Sequence, residues 1–552
     1  MNAIGWWIPG KENPRAVDGA LGEAVRNVSR PVYVVRASDG MAFAQDGSIV
    51  IGDRPDATAD GCPLLAYAPP LHPAEFGDVS FKKTHRLRYA YIAGAMANGI
   101  TSVEMVTEAG KAGMIGFFGA AGLDLDRIEA AIRHLQDALP DRPFGFNLIH
   151  SPQEPGHELA TVELYLKHRI RCISASAFLQ MTLPLVYYRL KGLHRSSEGE
   201  IVCPNRVVAK VSRIEIAKKF FSPPPEKIVS DLLNRRLITY EEAALAERIP
   251  MAEDLTAEAD SGGHTDNRPA LALLPTMISL KNQLSGKFKY AAPLRVGLGG
   301  GIATPESTAA AFAMGAAYVL TGSINQACVE AGMSETVRQM LAAASQADVA
   351  MAPAADMFEM GVKVQVLKRG TMFAVRAGRL YDLYRRYDSY ETIPGPEKEI
   401  LKRDFFPEGF STEWQRTRAF FEQRDPSQIQ KAEQNPKHKM ALVFRSYLGQ
   451  SSNWAITGNP SRRMDYQVWC GPAMGAFNQW VRGSFLEQPE NRQTVTIAKN
   501  LLLGASVITR CNWLRHQGIL PTGDSVRYTP LPLSELETYL NDSRQGPRDP
   551  GG

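Results

Sequence analysis

The sequence predicts an α/β chain built on an eight-stranded (β/α)8 TIM barrel, with a small β-rich region before it and helical additions within and after it. Three observations carry this. From about residue 88, short apolar runs alternate with helical stretches, the rhythm of parallel βα units. Eight such runs can be counted, the number a closed barrel needs, although counting alone leaves an open sheet as the other solution. Glycine-rich turns follow the last two runs, where a barrel places its phosphate site.

The predicted strands are Tyr89–Ala95, Met114–Gly119, Phe144–Ile149, Cys172–Ala175, Val207–Val211, Leu255–Ala259, Leu294–Leu298 and Ala317–Leu320. A helix over 101–111 follows the first, with Gly113 where a C-terminal cap belongs. The helix after the second is the clearest. Leu125, Ile128, Ile132, Leu135 and Leu139 recur at alternating steps of three and four, behind a capping Asp124. Residues 1–80 hold short β-type runs broken by glycine and proline, such as Pro31-Val-Tyr-Val-Val35 and Ser48-Ile-Val-Ile51, and read as a small β-rich domain. The barrel is expected over 81–350, with a helical pair inserted at about 220–250, where Ser-Pro-Pro-Pro opens a charged run. Past 350, Arg, Lys, Glu, Tyr and Phe dominate at helical spacing, so 351–552 is expected to be mainly helical with few strands.

Bulk properties narrow the function classes. At 552 residues the chain has room for a large catalytic domain and additions. Hydrophobic residues make up 44% and charged residues 22%, as in a soluble globular protein, and a net charge of +4 does not indicate a nucleic-acid stripe. The six cysteines form no Cys-x-x-Cys pair, which argues against zinc and a disulfide framework and for a reduced, cytoplasmic setting. Neither a signal peptide nor a membrane-spanning run is read.

The chemistry concentrates at strand ends. Leu294-Arg-Val-Gly-Leu-Gly-Gly-Gly-Ile-Ala-Thr-Pro-Glu306 sets three glycines, Gly300 and Gly301 among them, after a strand, and Thr304 and Pro305 then open a helix. Tyr318-Val-Leu-Thr-Gly-Ser323 repeats the form with Thr321, Gly322 and Ser323. Either turn alone serves equally as a tight βα connection. Both at successive strand ends point to a phosphate-bearing cofactor approached by backbone N–H groups. Glu258-Ala-Asp-Ser-Gly-Gly-His-Thr265 places His264 on a loop with Gly262 and Gly263, where an imidazole can orient a carbonyl or move a proton near neutral pH. Lys210 interrupts the apolar strand Val207–Val211, so its charge needs a partner: a flavin pyrimidine ring, a phosphate, or solvent if the lysine stands at a strand end. Asn147, near the end of the third strand, offers an amide that can pair with an isoalloxazine edge or simply close a turn.

Together the Gly-Gly-His loop, the Gly-Gly-Gly-Ile turn and the Thr-Gly-Ser turn resemble the nitronate monooxygenase and enoyl reductase group of FMN barrels. The likeness is closer to the PfaD-type enoyl reductases of polyunsaturated fatty acid synthases and trans-acyltransferase polyketide synthases. It extends through Phe358-Glu-Met-Gly-Val-Lys-Val-Gln-Val-Leu-Lys-Arg-Gly-Thr-Met-Phe373, Pro436-Lys-His-Lys-Met-Ala-Leu442 and Asp465-Tyr-Gln-Val-Trp-Cys-Gly-Pro-Ala-Met-Gly-Ala-Phe477, and so covers nearly the whole chain. Asp260 and Ser261 stand where many members of the broader group have Glu and Ala.

The resemblance implies a trans-acting reductase of enoyl thioesters on acyl carrier protein, using FMN and NADPH. His264 matches the family histidine, Gly300, Gly301, Gly322 and Ser323 the phosphate turns, Lys210 and Asn147 flavin contacts, and Ala95 and Met96 the segment under the flavin. A nitronate monooxygenase and a non-catalytic scaffold protein of the synthase are the competing readings. Basic residues at Arg376, Arg379, Arg385, Arg386, Lys398, Lys402 and Arg403 suggest a docking face for an acidic carrier, or a solvated helix face. Trp469-Cys-Gly-Pro-Ala-Met-Gly-Ala-Phe-Asn-Gln-Trp480 suggests the wall of an acyl tunnel, or plain core. The cofactor is expected to be FMN and not FAD, because no Gly-x-Gly-x-x-Gly strand–turn–helix accompanies the phosphate turns. Heat release and chromatography check this, and recovery of FAD contradicts it.

Overall fold

The structure, a computed structural model, describes residues 2–17, 20–38, 40–53, 61–150, 155–520 and 527–541. At its centre eight parallel strands close into a barrel: β1 (Tyr91–Ala93), β2 (Ile115–Phe118), β3 (Gly145–Ile149), β4 (Cys172–Ser176), β5 (Arg206–Val211), β6 (Asp254–Glu258), β7 (Arg295–Gly299) and β8 (Val319–Thr321). The strands neighbour one another in chain order, and β8 pairs with β1 through Val319–Tyr91, Leu320–Ile92 and Thr321–Ala93. All eight expected strands are present, and the barrel, not the open sheet, is the solution adopted.

Why the helices form is visible in their caps. Asp124 accepts from the Arg127 amide ahead of helix Leu125–Ala138, which buries Ile128, Ile132 and Leu135. Thr304 and Ser307 form a reciprocal capping box ahead of Pro305–Ala313. The insertion holds the expected helical pair, Glu226–Asn234 and Tyr240–Leu245.

The barrel interior is packed solid. Phe81, from the short helix Val79–His85, closes the bottom and stacks on Tyr318 at 4.3 Å between ring centroids. The Tyr318 ring crosses the interior to β7, where a Cβ on Gly297 would stand 2.3 Å from it, so only glycine fits there. Below the rings lies a buried ion cluster. Arg295 Nε donates to Asp254 Oδ1 at 2.6 Å, and His85 Nε2 lies 2.8 Å from Asp254 Oδ2. This is the N-terminal face of the strands, where polar residues serve stability.

A six-stranded antiparallel sheet spans residues 5–68, with strands in the order 15–16, 40–44, 32–37, 62–68, 5–8 and 48–51. Its core is completed by the long helix Thr494–His516, whose Leu503, Val507, Cys511 and Leu514 pack with Val25, Val32, Val34 and Leu65. The fully buried Arg510 donates to the carbonyls of Val25 and Asn27 as helix Ala20–Arg26 ends.

The region after 350 is mainly helical, but it holds more strand than the sequence suggested. Val349–Pro353 and Lys363–Leu367 form an antiparallel hairpin, and Gly263–His264 adds a third strand to it. The hairpin escaped notice because its strands are short and lead into a charged stretch of helical spacing, although they pair with each other across a short connection. Among the described residues no helix is long and apolar enough to cross a membrane.

The ion cluster under the barrel makes a prediction. Burial works against charge on Asp254, but Arg295 and then His85 hold its carboxyl below the ordinary value of 3.8. Its contribution is therefore full above that value and is lost as pH falls through the lower, folded one. Asp254→Ala leaves Arg295 buried without its carboxylate and should cost about 3–5 kcal/mol at neutral pH. Denaturant titration of both proteins measures this, and a loss below about 1 kcal/mol would show that the cluster is dispensable.

Candidate functional site

The C-terminal ends of the strands open into one large cavity of about 1010 Å³. Every candidate catalytic and cofactor-contact residue read from the sequence lines it: Ala95 and Met96 after β1, Asn147 on β3, Lys210 on β5, Gly262, Gly263 and His264 after β6, Gly300 and Gly301 after β7, and Thr321, Gly322 and Ser323 at the end of β8. Chain positions from 95 to 323 meet there because parallel strands all release their loops at the same end.

The two glycine-rich turns sit side by side. Gly300 and Gly301 both have positive φ, +85° and +77°, and a Cβ on Gly300 would lie 2.7 Å from the Ala259 backbone. Beside Gly301 a Cβ would meet nothing within 4 Å. After β8, Gly322 caps the short turn of helix Ser323–Gln326. Thr321 is buried, and its hydroxyl meets the Tyr91 hydroxyl at 2.6 Å and accepts from Asn325 Nδ2 at 3.0 Å. Its side chain braces the turn, so backbone groups and Ser323 are what the turn offers a ligand. The Met96 amide donates to Thr101 Oγ1, and the Gly94 amide to the Thr321 carbonyl, which fixes the segment after β1 against this turn.

Charge is arranged on the opposite wall. Lys210 Nζ lies 2.7 Å from Glu258 Oε1, so the partner that a charge within an apolar strand demanded is a carboxylate on the next strand. Asn147 Nδ2 donates to the Ser174 carbonyl and to Ser176 Oγ, which leaves its oxygen as the acceptor it can present to a ring N–H. His264 Nε2 lies 3.1 Å from Asp356 Oδ1, a residue that sequence reasoning missed. Burial opposes charge on His264, but the hydrogen bond and charge of Asp356 outweigh it and raise the imidazole above its ordinary 6.5.

The loop carrying His264 is tied from several sides. Gln365 Nε2 donates to Asp260 Oδ1 and to the Ser261 carbonyl, and Asn267 Nδ2 also donates to Asp260 Oδ1. Asp260 thus fastens the loop to the hairpin. Arg213 grips Asp266 with two bonds of 2.9 Å on the other side. Segment 469–471 presses on the loop backbone to backbone: a Cβ on Gly262 would lie 2.8 Å from the Cys470 nitrogen. The Gly471 amide donates to Ser323 Oγ, so the same segment also touches the β8 turn.

Beyond His264 the cavity runs into the helical C-terminal region. Its outer wall carries Met357, Phe420, Phe421, Leu442 and Trp469, with Arg416, Arg424 and Arg445 among them. Trp469 lines the cavity as suggested, whereas Trp480 packs on Phe477 and donates to the Tyr528 carbonyl. Much of the basic run is neutralised locally, Arg376 by Asp465, Arg379 by Glu397 and Arg403 by Asp404, and Arg385 and Arg386 are exposed away from the cavity wall.

A family model for nitronate monooxygenase matches residues 80–377, more than half of the chain. The chain belongs to the nitronate monooxygenase family. Among solved structures, the chain is similar to an enoyl reductase domain. It is 40% identical to the crystal structure of the enoyl reductase domain of MlnA, from the macrolactin biosynthesis cluster of Bacillus amyloliquefaciens, with a TM-score of 0.77 over 81% of this chain and 100% of that one. It is 46% identical over 433 residues to polyketide biosynthesis protein PksE of Bacillus subtilis, covering 78% of this chain and 56% of that protein. It is 45% identical over 449 residues to a component of the polyunsaturated fatty acid synthase of Thraustochytrium sp., covering 80% of this chain and 30% of that one. The chain therefore spans between about a third and a little over half of the length of these two curated relatives. A second family model, the inserted helical domain of acyl-carrier-protein S-malonyltransferase, matches residues 387–466, which include the helices of the cavity's outer wall.

The tight contact at Gly262 can be tested in this family member. Gly262→Ala should push segment 469–471 off the His264 loop and break the Gly471–Ser323 hydrogen bond. Amide exchange in the peptide containing Gly471 should then rise at least about tenfold, the effect of roughly 1.4 kcal/mol in local opening. Unchanged exchange would show that the segment is held elsewhere.

Proposed function

We propose that the protein is an enoyl reductase that uses FMN and NADPH to saturate the α,β double bond of thioesters carried on acyl carrier protein. The observation that carries this is the continuity of the cavity. It joins the paired phosphate turns, the Lys210, Glu258 and His264 wall, and an apolar extension between helices in a single volume of about 1010 Å³. Ligand pockets usually fall between about 300 and 1,000 Å³, so this one has room for a flavin and an acyl chain together. The named relatives in polyketide and polyunsaturated fatty acid synthases support the same substrate class. No feature of the apolar extension is called for by a small nitronate.

The residues present fit FMN. Gly300, Gly301, Gly322 and Ser323 would hold the phosphate, Ala95 and Met96 would lie under the ring, and Asn147 and Lys210 would meet its polar edge. Gln326 adds a buried Nε2 without a partner among the described residues, three positions past Ser323. Bound there, FMN supplies the chemistry of accepting hydride from NADPH and passing it to the β-carbon. The chain's own work is to position and polarise. Lys210 and Glu258 would set a paired positive and negative charge beside the ring, and hydrogen-bond donors aimed at the thioester oxygen would stabilise the negative charge that grows there. His264 gives the α-carbon its proton. The carrier would approach over the helical wall at Phe420 and Arg424, which line the cavity. A cytoplasmic setting suits six cysteines that are all unpaired.

Anaerobic stopped-flow spectroscopy tests this reading. NADPH should bleach the flavin, and a crotonyl-carrier thioester should restore its colour. His264→Ala should retain FMN and slow the second half-reaction about a hundredfold, and the first much less. A flavin that NADPH does not bleach, but that nitroalkanes reduce, would make the protein a nitronate monooxygenase.

A further inference from the structure

Asp356 belongs neither to the barrel nor to any motif read from the sequence, yet it reaches the histidine on which the proposed chemistry turns. It lies on the connection between the hairpin strands Val349–Pro353 and Lys363–Leu367. The first pairs with the second, Ala352 opposite Val364, and Val364 is opposite His264. The register that builds the sheet therefore sets the carboxylate against the imidazole. Arg445, from helix Pro436–Thr457, pins the same connection. Its Nε donates to the Ala355 carbonyl at 2.9 Å, and its Nη1 lies 3.3 Å from Glu359 Oε1. Both His264 and Asp356 remain open to the cavity, with side chains 35% and 42% exposed.

We infer that Asp356 is a positioning residue: its carboxylate fixes His264 in orientation and in its protonated form, so that the ring delivers a proton to the α-carbon of the substrate. This rests on the reading of His264 as proton donor. With Nε2–H engaged by Asp356, Nδ1–H is the bond left to meet a ligand in the cavity. As the β-carbon receives hydride, the π pair of the double bond moves to the α-carbon and takes the Nδ1 proton. The saturated thioester leaves, and neutral His264 regains its proton from solvent.

The charged neighbours agree with this assignment. Against the imidazole, burial and Lys210 on β5 disfavour charge, while Asp356 on the hairpin connection and Glu258 on β6 favour it, and the net direction is upward from 6.5. Burial likewise opposes the Asp356 carboxylate, but His264 and then Arg445 keep it below 3.8. A donor whose pKa is raised stays protonated to higher pH, and the step it serves fails as pH rises through that value.

The test uses the full-length, FMN-loaded chain and its D356N and D356E variants. The first readout is ¹³C-histidine NMR across pH, with the His264 signal assigned by its absence from H264A. The His264 midpoint should fall in D356N and return toward the native value in D356E. The second is reoxidation of the NADPH-reduced enzyme by a crotonyl-carrier thioester. Its alkaline limb should move to lower pH in D356N, with a loss of at least about tenfold at pH 8, a greater loss than in reduction by NADPH. A folded, FMN-loaded D356N with an unmoved His264 midpoint overturns the role of Asp356, whatever its activity. Failure of the wild-type protein to reduce the thioester overturns instead the function on which the inference rests.

Discussion

Closure of β8 onto β1, with Thr321 beside Ala93, is the constraint from which the functional site follows. Once the sheet is a closed cylinder, its interior must be filled by side chains, and here Tyr318 and Phe81 fill it. A solid barrel admits no ligand through its middle. All eight βα loops leave at one rim, so glycine turns and the histidine loop from distant parts of the chain become neighbours. The same closure lets the Gly94 amide bond to the Thr321 carbonyl, joining the segment under the proposed flavin to the turn beside its phosphate.

The two ends of the barrel use charge differently. At the closed end, Arg295, Asp254 and His85 form a network removed from water, and Arg189 with Glu253 is a second buried pair close by. Those groups are matched to one another and have nothing left to offer a ligand. At the open end, Lys210 with Glu258 and His264 with Asp356 are also paired, but their side chains stay partly accessible from the cavity. Pairing with Asp356 there raises the His264 imidazole above its ordinary 6.5 while its side chain still faces the cavity.

The C-terminal region is part of the site. Its hairpin takes Gly263–His264 as a third strand, its segment at 469–471 lies on Gly262 and bonds to Ser323, and its helices wall the outer cavity. It also completes the core of the N-terminal sheet through helix Thr494–His516. A barrel stripped of these residues would lose the carboxylate partner of its histidine and one wall of its pocket.

Local pattern was enough for most of what depends on neighbours along the chain, the hairpin after residue 348 being the exception. The eight strands, the Asp124 and Thr304 caps, the two glycine turns and the histidine loop were legible because periodicity, capping and turn chemistry act within a few residues. Resemblance in motif supplied the expected cofactor and the likeness of Ala95 and Met96, which periodicity could not have singled out. What the sequence could not show were contacts between segments far apart. The sequence left Lys210 a phosphate, a ring or solvent as partner, and the carboxylate of Glu258 came into view only when β5 and β6 were set side by side, at 2.7 Å. Asp356 stands 92 positions from His264, on a hairpin whose strands were hidden in a charged, helix-rich stretch. The tight fit of Gly262 on Cys470 and the bond from Gly471 to Ser323 span still longer separations. The sequence by itself determined which groups exist and on which elements they sit. Only the tertiary structure decided which of them meet, because a contact across the fold is fixed by barrel closure and hairpin register, and neither leaves a local periodic trace.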